Sequence, residues 1–362
     1  MSKLLEYYEY LHAHPELSKQ EAQTCVYLMD TLEKMGYQPV RAGQYGVYAD
    51  LCVDEKLPWV MLRSDMDALP VTEETGVPYA SQNPGVMHAC GHDAHMSMLL
   101  RAAEELRGKK LPQNIRFLFQ PAEEGVTGAA EMVAAGVVPE NTAAVFGMHV
   151  WPGVPKGKVL AKVGPLMASA TTIQIRCRGL GAHCGIRERG NDALMTMAQI
   201  LVRSKEAEAL SEGDGSILFF GMLQSGTSHN IVASEAFMKG TLRTYYPKTR
   251  ERVLAKLDEI VAQVAADYKT EAEVIYSSFA PAVINPEHLA LQVQKLLPDV
   301  VTEIQPTRIA EDFSRYQEVA PGMLLWLGVG DTPSLHNGKF LVPREVLPVG
   351  VDAWVHLAEH KW

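Results

Sequence analysis

Met87-His88-Ala89-Cys90-Gly91-His92-Asp93-Ala94-His95 places three histidines, a cysteine and an aspartate within nine positions. A packed core has no use for so many nitrogen, sulfur and oxygen donors. Gly91 lets the backbone take a tight or left-handed turn, so Cys90 and His92 can face one point. Thiolate and imidazole together suit a borderline-soft divalent ion such as zinc, with manganese or nickel also accommodated. The plain alternative is a polar loop with a chance Cys-x-His pair, and the flanking sequence decides between them.

On the C-terminal side, Met96, Leu99, Leu100, Ala103 and Leu106 are spaced for one face of a helix over about 95–107. On the N-terminal side, residues 3–12 read as a helix. Ser18 and Glu21 form a capping box that opens a second helix, closed by Gly36. Residues 45–53 and 59–64 read as strands, the second running into Asp65-Met66-Asp67. A strand at 115–119 ends in Pro121-Ala122-Glu123-Glu124-Gly125. A short helix over 128–135 stops at Gly136, and a strand at 143–150 carries His149. Strands alternating with helices predict an α/β fold, a mostly parallel sheet flanked by helices.

From about 168 the rhythm changes. Strand 171–177, helix 191–209, strands 216–224 and 235–245, helix 248–267 and strand 271–279 make a β-α-β-β-α-β order. That order folds as one sheet with two helices on one face, a ferredoxin-like unit. The expected organisation is therefore a catalytic domain at 1–167 and 280–362, with an inserted lid or dimerisation domain at 168–279. Helix 286–297, a strand near 301–304, strand 323–329 and helix 348–360 complete the larger domain.

The donors fall in one kind of place. Asp65 and Asp67, Glu123 and Glu124, His149, and His336 lie at or after the ends of apolar strands, while Cys90 and His92 precede a helix. In open parallel sheets ligands gather at the carboxyl ends of the strands. Remote donors thus converge on one rim, as a metal centre requires. Adjacent carboxylates such as Glu123-Glu124 repel in a cleft unless a cation lies close. One can bind metal while the other moves protons, which describes metal-assisted amide hydrolysis.

The totals narrow the class. A chain of 362 residues makes about two domains, and 47% apolar with 21% charged residues is ordinary for a soluble globular protein. The formal net charge of -10 argues against nucleic acid or an anionic membrane as partner. Cys25, Cys52, Cys90, Cys177 and Cys184 are scattered and odd in number, which suits a reducing cytoplasm. No signal peptide and no membrane-spanning segment are expected.

The set M-H-A-C-G-H-D-A-H, P-A-E-E-G, G-M-H-V, G-A-H and L-H-N, with H-P-E-L near the start and E-D-F-S near the end, resembles the M20 metallopeptidase superfamily. More narrowly, it resembles the amidohydrolase branch, which includes hippurate hydrolases, N-acetyl-amino-acid deacetylases and indole-acetyl-amino-acid hydrolases. The resemblance implies that Cys90, His92, Glu124, His149 and His336 bind two divalent metals, manganese or zinc, with nickel or cobalt also fitting. It implies Glu123 as general base and acid, Asp67 as the residue orienting a ligand, and Asp65 where many relatives have a metal-binding histidine. His183 matches the small-domain histidine that helps hold the oxyanion, often in the neighbouring subunit's site. Asn230 and Arg243 match substrate contacts, Arg243 for a carboxylate. The substrate implied is an N-acyl amino acid or small peptide, and the assembly a homodimer.

Cys184-Gly185-Ile186-Arg187 departs from the small residues and proline usual after that histidine, and Asn337-Gly338 from the usual His-Pro. His88 and His95 are expected to support the site rather than to ligate. His12, His14, His229, His288, His356 and His360 are expected to be structural or solvated. Three other functions compete: a metal-dependent carboxypeptidase or dipeptidase, a cysteine hydrolase using Cys90 and His92, and a non-catalytic metal-dependent binding protein.

Overall fold

The computed structural model describes residues 2–125 and 127–362. The chain forms two compact units, Met1–Leu166 with Ile284–Gln305 and Asp312–Trp362, and Met167–Val283 with Pro306–Glu311.

The larger unit opens with α1 (Ser2–Ala13), α2 (Ala22–Lys34), β1 (Val40–Ala42), β2 (Gly46–Leu51) and β3 (Trp59–Asp65). Next come α3 (His92–Leu106), β4 (Asn114–Gln120), α4 (Gly128–Ala134), β5 (Thr142–Pro152), β6 (Val159–Leu160) and β7 (Gly164–Met167). The smaller unit supplies β8 (Ser169–Arg178), α5 (Ala193–Glu208), β9 (Ile217–Ser225), β10 (Glu235–Thr244), α6 (Pro247–Tyr268) and β11 (Glu271–Ala280). The chain closes with β12 (Val283–Asn285), α7 (Glu287–Leu296), α8 (Ser314–Gln317), β13 (Gly322–Gly330) and α9 (Leu347–Glu359).

The seven-stranded sheet runs β1-β2-β4-β3-β5-β13-β6. Its centre, β4, β3, β5 and β13, is parallel, and antiparallel strands close both edges. The central strands are nearly continuous apolar runs, as burial on both faces demands. Register sets the site: Asp65 lies beside Gln120, and His149 beside Trp326. The residues after β3 and β4, and those near the end of β5, therefore emerge on one rim.

Three local expectations are corrected. Ser18 and Glu21 do not form a capping box. The helix begins at Ala22 without a side-chain cap, because the Ser18 hydroxyl donates to Asp67 and Glu21 is buried, accepting from the Ala122 amide. No strand forms over 301–304, where Val301 makes only an isolated bridge to Leu160. Helix α3 is buried on nearly every side, because it packs against α1, α9 and the sheet together.

In the smaller unit the sheet order is β11-β8-β10-β9, all antiparallel. Ile173, Ile175, Met238 and Leu242 pack against Met197, Ile200, Leu257 and Ile260 of α5 and α6. Residues 306–311 join this unit rather than the larger one, the Ala168 amide donating to the carbonyls of Thr307 and Ile309.

Candidate metal centre

Gly91 caps α3 at φ +86, and a Cβ there would lie 2.4 Å from Val150 Cγ2. Only glycine fits this turn, which aims Cys90 and His92 inward from either side of it. Pro121-Ala122-Glu123-Glu124 is a second tight turn, with Ala122 at φ +53. The Asp67 carboxylate holds it, accepting from the amides of Glu123 at 3.1 Å and Glu124 at 3.0 Å. His336 also takes a positive φ, +63, and its amide donates to the Ala89 carbonyl at 2.8 Å.

The donor atoms then fall into overlapping groups. Cys90, His92 and His149 form one buried group, and Cys90, Glu124 and His336 another, with Cys90 common to both. Cys90 Sγ lies 3.4 Å from His149 Nε2. His336 Nε2 lies 3.5 Å from Glu124 Oε1. His92 Nε2 lies 3.9 Å from Glu124 Oε1 and 4.0 Å from Glu123 Oε2. A further group, Asp65, His92 and His95, shares the same imidazole.

Hydrogen bonds set which ring nitrogen is free. His92 Nδ1 donates to the Asp67 carbonyl at 2.8 Å, and His149 Nδ1 to the Val150 carbonyl at 2.6 Å. Both rings therefore turn Nε2 towards Cys90 and Glu124. Asp67 thus orients His92 through its main-chain oxygen, while its carboxylate holds the Glu123-Glu124 turn. Asp65 is engaged on both oxygens, by His95 Nδ1 at 2.6 Å and by Arg63 Nη1 at 2.9 Å. It supports the neighbouring histidines, and His95 Nε2 in turn accepts from the Val150 amide.

The donor set fits divalent cations. His92 Nε2 and Glu124 Oε1 are buried without a hydrogen-bond partner among the described residues, a costly arrangement unless a cation takes those lone pairs. Burial opposes charge on His92, yet Asp65, Asp67 and Glu124 carry its pKa to about 10, so the pocket strongly attracts positive charge. Burial, then Glu124 and Glu123, push the Cys90 thiol well up. A metal-free Cys90 stays protonated, which removes the nucleophile that a cysteine hydrolase needs.

His183, Asn230 and Arg243 belong to the smaller unit. His183 is exposed at the start of a short 3-10 turn and accepts from the Gly185 amide at 3.1 Å. It bridges to Ile231, and the Cys184 amide donates to the Asn230 carbonyl, so His183 and Asn230 lie together. Arg243 sits at the opposite end of the same sheet, opposite Ala170 and Ile217. The paired stretch of β10 from Glu235 to Arg243 alone spans roughly 26 Å at strand rise, and His183 pairs with Ile231, beyond its Glu235 end.

Several residues around the centre carried no reading of their own in the sequence. Arg63, fully buried in β3, joins Asp65 to Asp312 at 3.1 Å and Gln120 at 2.8 Å, and Tyr316 donates to Gln120 at 2.9 Å. An arginine inside an apolar strand was the available signal, since a buried guanidinium requires carboxylates. His88, by contrast, was expected to support the site; it is buried with both ring nitrogens unpartnered among the described residues, and burial lowers its pKa to about 4.

His12, expected to be structural, bridges Asp93 at 2.6 Å and Glu73 at 3.1 Å, with the Tyr8 and Tyr79 rings and His88 nearby. Burial works against its charge, but Asp93 and Glu73 carry its pKa to about 9. The ordinary value is 6.5, so protonated His12 stabilises the fold fully below that pH, and the contribution is lost as pH rises through about 9. Thermal unfolding of the metal-free protein from pH 6 to 10 is expected to show this loss, and His12→Gln to reduce it, with His92, whose pKa is raised to about 10, supplying the remainder. An unchanged profile in the variant contradicts the charged bridge.

Residues 61–360 match the model of peptidase family M20/M25/M40. The chain belongs to this family. An N-acetylcysteine deacetylase of Bacillus subtilis is 34% identical over 357 residues, covering 96% of this chain and 94% of the relative. An N-acetyldiaminopimelate deacetylase of Streptococcus pneumoniae is 31% identical over 359 residues, covering 95% and 94%. A dinuclear metal binding peptidase of the M20 family from Bacillus subtilis superposes with a TM-score of 0.87 at 32% identity, covering 99% of this chain and 97% of that one. The M20 chain is thus a hydrolase acting on amide bonds, and its clustered donors support divalent metals. No helix among its described residues is long and apolar enough to cross a membrane.

Proposed function

We propose that this protein is a dinuclear metal amidohydrolase that removes the acyl group of N-acyl amino acids, N-acetyl ones first. One observation carries the reading: Glu123 stands 4.0 Å from His92 Nε2, beside two donor groups that share Cys90. The two relatives named for N-acetyl amino acids support the substrate class. Cys90, His92 and His149 would hold one ion, and Cys90, Glu124 and His336 the other. Manganese or zinc suits this mixture, and nickel or cobalt also fits it. When bound, such ions lower the pKa of water to ~7 and polarise a carbonyl.

Glu123 takes a proton from the attacking water as its oxygen bonds to the amide carbon. His183 donates to the resulting oxyanion. Glu123 then returns the proton to the amide nitrogen as the carbon–nitrogen bond breaks, releasing a carboxylate and an amino acid. Asp67 fixes Glu123 through its amide, so the carboxylate needs little reorganisation. Arg243 holds the carboxylate of the substrate and Asn230 contacts its amide region.

His183 and Arg243 are too far apart along their sheet to hold one small substrate from a single chain, which supports a homodimer. The smaller unit offers a surface for it. β9 is an edge strand, with Phe219 57% and Met222 41% exposed. On α5, Leu194, Met195, Leu201 and Val202 are exposed at helical spacing, Val202 at 67%. Val202→Glu with Phe219→Glu is expected to give a monomer by analytical ultracentrifugation while retaining metal. A monomeric wild type refutes the assembly. Five free cysteines suit a cytoplasmic location.

The deciding experiment offers N-acetyl, N-benzoyl and indole-acetyl amino acids and dipeptides to protein reconstituted with manganese, zinc, nickel or cobalt. N-acyl amino acids are expected to turn over fastest. Faster dipeptide cleavage would make this a dipeptidase. Tight metal binding without turnover of any substrate would make it a binding protein.

A further inference from the structure

The H-P-E-L region is used by none of the steps above, although it lies directly behind them. The turn between α1 and α2 meets the segments that carry the ligands. The Ala68 amide donates to the Glu16 carbonyl at 2.8 Å, Ser18 donates to Asp67 at 2.5 Å, and Asn83 donates to the Pro15 carbonyl at 2.7 Å. His12, in the last turn of α1, makes the contact that reaches furthest.

On one side His12 Nδ1 binds Asp93 Oδ2 at 2.6 Å. Asp93 follows His92 directly, and its other oxygen accepts from the Ala94 amide at 2.8 Å, fixing the first turn of α3. Gly91 gives that turn no side-chain cap, so Asp93 is its local anchor. On the other side His12 Nε2 binds Glu73 Oε1 at 3.1 Å. Glu73 is held in turn by the Ser81 amide at 2.6 Å and the Thr75 hydroxyl. The next amide, Glu74, donates to the Gly338 carbonyl at 2.7 Å, two residues beyond His336. A Cβ on Gly338 would lie 2.4 Å from the Thr72 carbonyl, so the two loops are in direct contact.

We propose that His12 is a positioning residue of the metal centre, a two-sided pin that sets the start of α3, with Cys90 and His92, against the loop that locks His336. The inference rests on the metal-centre reading. An imidazole donating from both nitrogens can bridge two carboxylates at this span, whereas glutamine can keep one of these links. Partners behind ligands of this kind are worth 10–100-fold in metal affinity when removed.

The test measures zinc affinity of the metal-free protein by competition with a chelating dye at 25 °C. It also records the thiolate-to-metal charge-transfer band of the cobalt-loaded form. His12→Gln is expected to weaken zinc binding by about 10–100-fold and to shift the cobalt band. Glu73→Gln, which weakens the bridge from its far end, is expected to move both readouts in the same direction by less. It serves as the test if His12→Gln does not fold. A purely structural histidine would lower the melting temperature and leave zinc affinity and the cobalt band in place. Affinities within twofold of wild type with an unchanged band, in a folded variant, overturn the proposal alone. A wild-type protein that binds neither zinc nor cobalt overturns the metal reading and this inference with it.

Discussion

Glu123→Gln is expected to lower kcat by about 10³-fold or more while KM and bound metal stay near wild type. Glutamine keeps the size of the side chain and its place on the turn, because Asp67 holds position 123 through the backbone amide. What it removes is the proton acceptor. In the proposed mechanism, water would then lose its base in the first step, and the departing nitrogen its acid in the second. Both halves of the reaction fail through one atom pair, so the loss appears in kcat rather than in substrate binding. Metal content by elemental analysis separates this from simple damage. A glutamine variant with full turnover would mean that another group moves the proton. A variant that has lost its metal would place Glu123 among the ligands.

Cys90→Ala is expected to have the broadest effect on the site. Cys90 is the donor common to the groups with His149 and with Glu124 and His336. On the proposed reading, removing it would take a ligand from both ions at once and leave Glu123 and Glu124 facing each other with less cation to offset them. Metal affinity is expected to fall by at least about 10²-fold, below one tightly bound ion per chain, with turnover at background. Chelator treatment of the wild type is expected to reproduce the loss of activity, and added metal to restore it. A cysteine hydrolase would keep its rate in chelator, and its alanine variant would keep its metal. The high thiol pKa imposed by burial and the neighbouring carboxylates already opposes that alternative.

The alternation of elements was legible because a strand or a helix is written in a few adjacent residues. Trp59–Asp65 and Gly322–Gly330 read as buried strands, and Gly91 as a turn, and all three are so. Ser18 shows where such local reading stops. Ser-x-x-Glu is a capping pattern, yet the hydroxyl is taken by an aspartate 49 positions away, because that carboxylate is buried and needs donors. His12 shows the same limit: alone near a helix end it resembles any structural histidine, and its two carboxylate partners lie in segments 61 and 81 residues distant.

The sequence by itself determined that donors of the right chemistry stand at strand ends and at one glycine-led helix start, because residue type and periodicity are properties of neighbours along the chain. Tertiary structure alone decided which donors meet. The register that sets Asp65 beside Gln120, the sharing of Cys90 between two groups, and the bracing of α3 by His12 all depend on how distant segments pack. That packing is fixed by burial and hydrogen-bond satisfaction across the whole fold, which no short stretch of sequence contains.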